Sequence, residues 1–153
     1  MVKAKEFWNY LCNELDYRFF AGVPCKGLKP LYDKISSEFM HYIPAVNERV
    51  AVGIVSGARL AGIKSAILIN ANNIYAVYDL VFNFNSIYEI PFLIIVYNEG
   101  NKKLKFFNIP KLELNANDYI SKLKTLVNKS EKLQVPVILV VGKGVITWKK
   151  DLL

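Results

Sequence analysis

Short apolar segments alternate along the chain with segments whose apolar positions recur at helical spacing. The apolar runs at 65–69, 91–97 and 136–141 are almost continuous instead of alternating with polar residues. Strands of that kind are buried on both faces, as in a parallel sheet that is covered by helices on each side. Two further extended segments, 17–23 and 41–46, complete the set of predicted strands.

Helical periodicity separates these strands. Pro30 stands near the start of the second helix, where its missing N–H costs nothing. Asn47 is a favourable N-cap for the next helix, and Gly62 is a favourable stop at its end. Three later helices are predicted over 48–60, 75–88 and 118–133. The first two helices are identified by their apolar faces, Phe7, Trp8, Leu11, Cys12 and Leu15 in one and Leu31, Ile35 and Phe39 in the other.

The alternation of strands and helices predicts the fold class. Strand and helix follow one another in the order of a doubly wound α/β domain, with a mostly parallel sheet, helices on both faces and right-handed crossovers. The 153 residues are the length of one ordinary domain, so residues 1–153 are predicted to form a single unit.

Composition narrows the chemistry that the domain can carry. With two cysteines, no CxxC pair and one histidine, the chain offers neither a zinc site nor a disulfide framework. No apolar run is long enough to cross a bilayer, and residues 1–15 lack the apolar core of a signal peptide. The expectation is a cytoplasmic protein with no membrane association and no metal ligands of its own.

The net charge of +7 by itself is compatible with nucleic acid or with an anionic cofactor or substrate. The lysines are dispersed over several segments and form no focused stripe, which favours an ordinary solvated surface. Because no nucleic-acid-binding motif accompanies them, nucleic acid is not a predicted partner.

Polar residues gather where three predicted strands end. Ligands of an open parallel sheet bind beyond the carboxyl ends of its strands, and the segments 23–27, 47–49 and 70–73 are predicted to lie there. Together they place a carboxylate, a thiol, an ammonium group and two amides at one edge. These side chains are Glu48, Cys25, Lys26, Asn72 and Asn73.

Each of these residues also has a purely structural interpretation. An acid in the first turn of a helix is stabilised by the helix dipole, a free cysteine is often a small core residue, and asparagines favour turns. Glu48 is the strongest candidate, because the helix that it begins is too rich in small and apolar residues for an exposed surface. Such a helix is expected to be closely approached by another backbone, within the domain or across a subunit interface.

The chain resembles a known enzyme family over residues 19–144. The stretch HYIPAVNERVAVGIVSGARLAGIKSAILIN, with its N-E-x-x-A-V-x-x-x-x-G-A-x-L-A-G pattern, is similar to the segment in which phosphonopyruvate and sulfopyruvate decarboxylases carry their cofactor-activating glutamate. FFAGVPCKGLKPLYDKI, YEIPFLIIVYNEG and VPVILVVGKG resemble other strands of those enzymes. The resemblance implies the pyrimidine-binding domain of a thiamine diphosphate enzyme.

The same resemblance implies roles and partners. Glu48 matches the glutamate that hydrogen-bonds to the aminopyrimidine of the cofactor, Asn72 and Asn73 would lie against the cofactor, and Cys25 and Lys26 would line the substrate side. In that family, Mg²⁺ and the diphosphate are held by a second domain that contains an Asp-Gly pair. This sequence has no Asp-Gly pair. The resemblance implies that a beta-type subunit would supply the second domain, in a homodimer or a heterotetramer, for the decarboxylation of an anionic pyruvate.

One segment departs from the family pattern. The glycines that usually follow the third strand are absent from the segment 70–76, where Tyr75 introduces a bulky ring. After the next strand, Glu99-Gly100 replaces the arginine-glycine pair that is common in the family. These departures keep open an alternative in which the chain is a non-catalytic relative that serves as a binding or scaffolding subunit.

The segment 98–117 is long and irregular, which is typical of a functional or partner-facing loop.

Overall fold

A computed structural model describes residues 1–35, 41–100, 102–104 and 109–147. Within them, six parallel strands form one sheet in the order β3-β2-β4-β5-β7-β6, and a separate pair of short strands, β1 and β8, joins the two ends of the described chain. The strands are β1 (Val2–Lys3), β2 (Phe19–Gly22), β3 (His41–Pro44), β4 (Ser65–Asn70), β5 (Leu93–Asn98), β6 (Lys111–Glu113), β7 (Val137–Gly142) and β8 (Ile146–Thr147).

Helices connect the strands. The α-helices are α1 (Ala4–Asn9), α2 (Lys29–Ile35), α3 (Glu48–Leu60), α4 (Tyr78–Leu80) and α5 (Tyr119–Leu133). Shorter helical turns extend or precede them: π-helical turns at Tyr10–Glu14 and Val81–Asn85, and 3₁₀ turns at Lys26–Leu28 and Ala71–Val77. The first helix therefore runs without a break from Ala4 to Glu14, as its apolar spacing predicts.

The sheet is covered on both faces. One face packs against α1, α2 and α5 through residues such as Phe20, Leu68 and Leu139, and the other packs against α3 and the helical segment after β4 through Ile67 and Ile94. The three central strands β4, β5 and β7 are buried through to their last residue but one, which is why their sequences are almost continuously apolar. The predicted doubly wound α/β fold is confirmed.

Helix α3 has the predicted ends. The side chain of Asn47 accepts a hydrogen bond from the backbone N–H of Val50 at 3.0 Å, which satisfies one of the free donors of the first turn. At the other end, Gly62 adopts a φ of +86°, and the N–H of Ile63 returns to the carbonyl of Ala58. That left-handed geometry favours glycine and stops the helix.

Two predicted segments differ from the structure. The segment 75–88, predicted as one helix, is instead a 3₁₀ turn, one turn of α-helix and a π-helical turn in succession. The irregular segment 98–117 contains the edge strand β6, whose three residues are too few to produce a recognisable pattern. Phe39, predicted on the second helix, lies outside the described residues.

The strand order creates a crevice at the carboxyl edge. The chain leaves β2 toward β3 on one side, and then crosses back through α3 to β4 on the other side of β2. The connections therefore diverge between β2 and β4, which is where open α/β sheets bind their ligands. Gly22 ends β2 at this point, in register with Leu68 of β4.

Gly22→Ala tests this close approach, because a Cβ at residue 22 would overlap with the carbonyl oxygen of Leu68. We expect a loss of about 1–3 kcal/mol in the free energy of unfolding, measured by denaturant titration. Gly53→Ala is the matched control: a Cβ there meets no atom within 4 Å, so replacing a helical glycine should stabilise the chain by about 0.5–1 kcal/mol. Equal effects of the two substitutions would contradict this account.

Candidate active site

Glu48 is the first residue of α3 and is buried although it is charged, with 8% of its surface exposed. Its burial follows from the packing of the helix, whose next turns press Ala51, Val52 and Val55 into the core beneath the sheet. A buried carboxylate is costly unless a hydrogen bond or a favourable dipole compensates for its lost hydration. Glu48 lies at the N-terminus of α3, where the helix dipole is favourable, and it also accepts a hydrogen bond.

The hydrogen bond comes from the segment after β4. Asn73 Nδ2 donates to Glu48 Oε1 at 2.6 Å. Asn73 is placed there because Asn70, at the end of β4, accepts a hydrogen bond from the backbone N–H of Asn72 at 2.8 Å and so begins the 3₁₀ turn. Within the described chain, Asn73 is the partner of this carboxylate, and the second oxygen, Oε2, remains available to a ligand.

An ion pair holds the same two segments together. Arg49 donates to Asp79 Oδ1 at 2.7 Å and to the carbonyl oxygen of Ala76 at 3.3 Å. The hydrogen bond from the Arg49 guanidinium lowers the pKa of Asp79. Both side chains are about half exposed, so the pair adds little to stability and mainly fixes the position of α3 relative to the turn that carries Asn73.

Cys25 and Lys26 lie on the other face of the sheet. Cys25 precedes the 3₁₀ turn Lys26–Leu28 and packs against the cluster that contains α1, α2 and α5. A cleft of about 440 Å³ lies here, and its lining residues are Pro24, Cys25, Lys26, Lys29, Tyr32, Asp33, Ile35 and Tyr42. Burial raises the pKa of the Cys25 thiol, so the group is a protonated thiol at neutral pH and not a nucleophilic thiolate.

Two tyrosines support this cleft. The hydroxyl of Tyr32 donates to the carbonyl of Val23 at 3.2 Å, the hydroxyl of Tyr42 donates to that of Gly22 at 3.3 Å, and the rings meet edge to face. Burial raises the pKa of both phenols, so both remain neutral donors. Sequence reasoning missed these tyrosines, because only the turn after β2 and the return of β3 beside it bring them to Cys25.

The structure thus divides the predicted residues into two groups along one edge. Glu48 and Asn73 are in direct contact, Asn72 is exposed beside them, and Cys25 with Lys26 belongs to the cleft on the α2 side. Among the residues that the structure describes, no group of three or more histidine, cysteine, aspartate or glutamate side chains could hold a metal ion.

The geometry around Glu48 fits the pyrimidine ring of thiamine diphosphate. The ring presents a nitrogen that needs a carboxyl partner, and Glu48 offers one oxygen that is held by Asn73 and one that is free. The N-terminal end of α3 and the hydrogen bond from Asn73 hold this carboxyl group in a site largely shielded from water. A carboxyl group held in this way can hydrogen-bond to a nitrogen of a bound heterocycle.

Curated relatives are similar to part of this chain. The chain is 34% identical over 92 residues to the sulfopyruvate decarboxylase subunit alpha of Methanococcus maripaludis, and 36% identical over 86 residues to that of Methanocaldococcus jannaschii. The matches cover 57% and 56% of this chain and 53% and 51% of the relatives, so the chain spans about half the length of the curated relatives it matches. No protein-family model matches the chain.

Solved structures share the fold. A benzoylformate decarboxylase from Polynucleobacter necessarius superposes with a TM-score of 0.77 at 16% identity, over 93% of this chain and 30% of that one. A protein from Mycobacterium smegmatis described as a thiamin diphosphate-dependent enzyme gives a TM-score of 0.72 at 15% identity, over 93% and 31%. A 2-oxoglutarate:ferredoxin oxidoreductase from Magnetococcus marinus gives 0.74 at 19%, over 93% and 29%. At these identities the likeness shows the fold, which is one segment of larger chains.

No helix in the described part of this chain is long and apolar enough to cross a membrane.

Asn73→Asp tests the contact with Glu48. Two carboxylates at hydrogen-bond distance share one proton, so the folded variant binds a proton more tightly than its unfolded chain does. Relative to a matched control, its stability is therefore greatest at acidic pH and falls by about 1 kcal/mol as the pH rises through the range in which the pair loses its proton. The control is Asn72→Asp, which adds the same charge at an exposed neighbour. Thermal unfolding of both variants across this range measures the difference, and parallel pH profiles would refute the contact.

Proposed function

We propose that this chain is the alpha-type subunit of a thiamine diphosphate-dependent decarboxylase, a carboxy-lyase that acts on sulfopyruvate, phosphonopyruvate or a similar anionic pyruvate. The observation that carries the proposal is the buried Glu48 with its Asn73 partner at the carboxyl edge of the sheet. The alpha-subunit relatives and the fold of the solved neighbours support it. In this proposal residues 1–153 form one pyrimidine-binding domain.

Glu48 has the central part in this proposal. Thiamine diphosphate, when bound, supplies the electron sink for loss of carbon dioxide from a 2-oxo acid. Glu48 Oε2 would hydrogen-bond to the pyrimidine nitrogen of the bound cofactor, while Asn73 fixes the position of the carboxyl group through Oε1. The burial of Glu48 at the start of α3 would limit the access of water to that contact. Asn72, on the exposed side of the same turn, would lie against the cofactor.

Cys25 and Lys26 are assigned to the substrate side. The cleft that they line contains a neutral thiol and the ammonium group of Lys26, and its other lysine, Lys29, is paired with Asp33 at 2.6 Å. Such a lining can receive a small anionic substrate without a nucleophile that would react with it. Cys25 then contributes shape and weak hydrogen bonding, not covalent chemistry.

The proposal includes a partner chain. The alpha-subunit names of the relatives support one, and residues 1–153 contain no Asp-Gly pair, so Mg²⁺ and the diphosphate are assigned to a beta-type subunit in a dimer or heterotetramer. The outer face of α3 suits such an assembly. Gly53 and Gly57 have no atom within 4 Å of an added Cβ, and Val50 and Leu60 are 41% and 71% exposed. An open stripe of small and apolar residues on this exposed face would let another backbone approach α3 closely.

A second candidate function rests on the turn after β4. Tyr75 is 59% exposed at the position where the resembled enzymes have glycine, and its ring occupies space at the carboxyl edge. If that ring blocks the substrate, the chain is a scaffolding subunit that binds its partner without catalysing the reaction. The two functions differ in a single measurement, the turnover of sulfopyruvate by the assembled complex.

Glu48→Gln tests the catalytic assignment in the complex with the beta-type subunit. Glutamine keeps an oxygen that accepts from Asn73, so folding and assembly should be unchanged, but it cannot exchange the proton. We expect carbon dioxide release from sulfopyruvate to fall by about 10²–10⁴-fold. Glu14→Gln, an exposed acid on the first helix, is the control and should leave turnover unchanged. Near-normal turnover in Glu48→Gln refutes the role, and an inactive wild-type complex that still assembles favours the scaffold.

Gly57→Leu tests the interface. The added side chain points into open space in this chain, so its thermal stability should be equal or higher. If the partner packs on α3, the complex with the beta-type subunit should weaken by at least about tenfold, equivalent to about 1.4 kcal/mol. Asn128→Leu, on the exposed face of α5 across the sheet, is the control. Titration by analytical ultracentrifugation measures both affinities, and identical values would place the partner elsewhere.

A further inference from the structure

A second polar cleft lies at the carboxyl edge, beyond β5, β6 and β7. It has a volume of about 390 Å³, its floor is Val140, and its walls come from the end of β5, the loop 102–104 and the edge strand β6. Its lining residues are Asn98, Lys102, Lys103, Leu104, Lys111, Glu113 and Val140. None of them belongs to the groups around Glu48 or Cys25.

The loop of this cleft is anchored at both ends. Asn98 Nδ2 donates to the carbonyl oxygen of Lys102 at 3.1 Å, and Lys111 Nζ donates to the carbonyl oxygen of Leu104 at 3.0 Å. The side chain of Leu104 is buried in the core beneath α3 and the segment after β4. Two side-chain hydrogen bonds and one core contact therefore hold the backbone of this segment, from which Lys102 and Lys103 extend.

The charges of the cleft do not balance. Lys102, Lys103 and Lys111 bring three ammonium groups, and Glu113 brings one carboxylate. Within the described residues none of the three lysines has an ion pair, in contrast to nearby Lys143, which lies 3.5 Å from Glu99. Lys111 uses one of its three N–H donors on Leu104, so the others remain available. The lining of the cleft therefore has a net positive charge, and its lysines have N–H donors with no ion-pair partner among the described residues.

We propose that this cleft binds a small tetrahedral oxyanion, a phosphoryl or sulfonyl group carried by a small molecule or free in solution. Ammonium groups bind such anions as point charges, and several of them around one cleft compensate for the lost hydration of a multiply charged group. The volume is that of a small-ligand pocket. The backbone of β7 closes the floor and Asn98 contributes an amide at the rim. This site is independent of thiamine diphosphate and of the proposed decarboxylation.

Titration of the full chain with inorganic phosphate, and separately with sulfate, tests this site. Amide chemical shifts are followed at constant ionic strength, with chloride as the reference salt. We expect saturable shifts that centre on Asn98, Leu104 and Val140. The Lys102→Gln/Lys103→Gln double variant should weaken binding by at least about tenfold, equivalent to about 1.4 kcal/mol. Glu113→Gln removes the opposing carboxylate and should tighten binding.

The matched control is Lys124→Gln/Lys129→Gln, which removes the same charge from exposed positions on α5. It should bind phosphate as the wild type does. Equal weakening in both double variants would show a general charge effect and overturn the site, as would shifts that do not saturate. Saturation by phosphate but not by sulfate would restrict the ligand to phosphoryl groups. Because no cofactor or partner is present, failure here leaves the decarboxylase proposal untouched, and failure of that proposal leaves this one untouched.

Discussion

A single hydrogen bond of 2.6 Å, from Asn73 to Glu48, joins the start of α3 to the turn after β4. Burying an acid is unfavourable unless its charge is compensated, and here the compensation comes from a side chain and a helix N-terminus that belong to different connections of the sheet. The ion pair between Arg49 and Asp79 holds the same two segments. Through these contacts the candidate cofactor site is also a structural junction, so its geometry depends on the folded sheet as a whole.

The parallel sheet explains why three polar regions share one edge. Its central strands are apolar along almost their whole length, so polar side chains are confined to the residues that follow each strand. Crossover helices then separate those residues by face: Glu48 and Asn73 lie on the α3 side, and Cys25 with its two tyrosines lies on the α2 side. The lysine cleft is farther along, where β6 extends the sheet past β7.

The two faces of α3 differ in composition and burial. Its inner face carries Ala51, Val52 and Val55, which fill the space above the sheet, while Gly53 and Gly57 on the outer face leave a shallow open stripe. Glycine inside a helix lowers stability relative to alanine. Packing within the described chain does not explain why α3 has two glycines on one exposed face. The proposed partner chain, packed on this outer face, would account for both glycines.

The sequence alone predicted five of the six strands of the main sheet and both ends of α3, because apolar periodicity and capping residues act over a few positions and need no distant partner. The role of Glu48 came from the resemblance to a known family and stays a prediction. The sequence also indicated the carboxyl edge as the site. Only the tertiary structure decided that Asn73 and not Asn72 reaches Glu48, that Tyr32 and Tyr42 enclose Cys25, and that Lys111 joins the loop lysines. Those contacts link residues on different elements, from 7 positions apart for Lys111 and Leu104 to 25 for Asn73 and Glu48, so local sequence patterns do not reveal them.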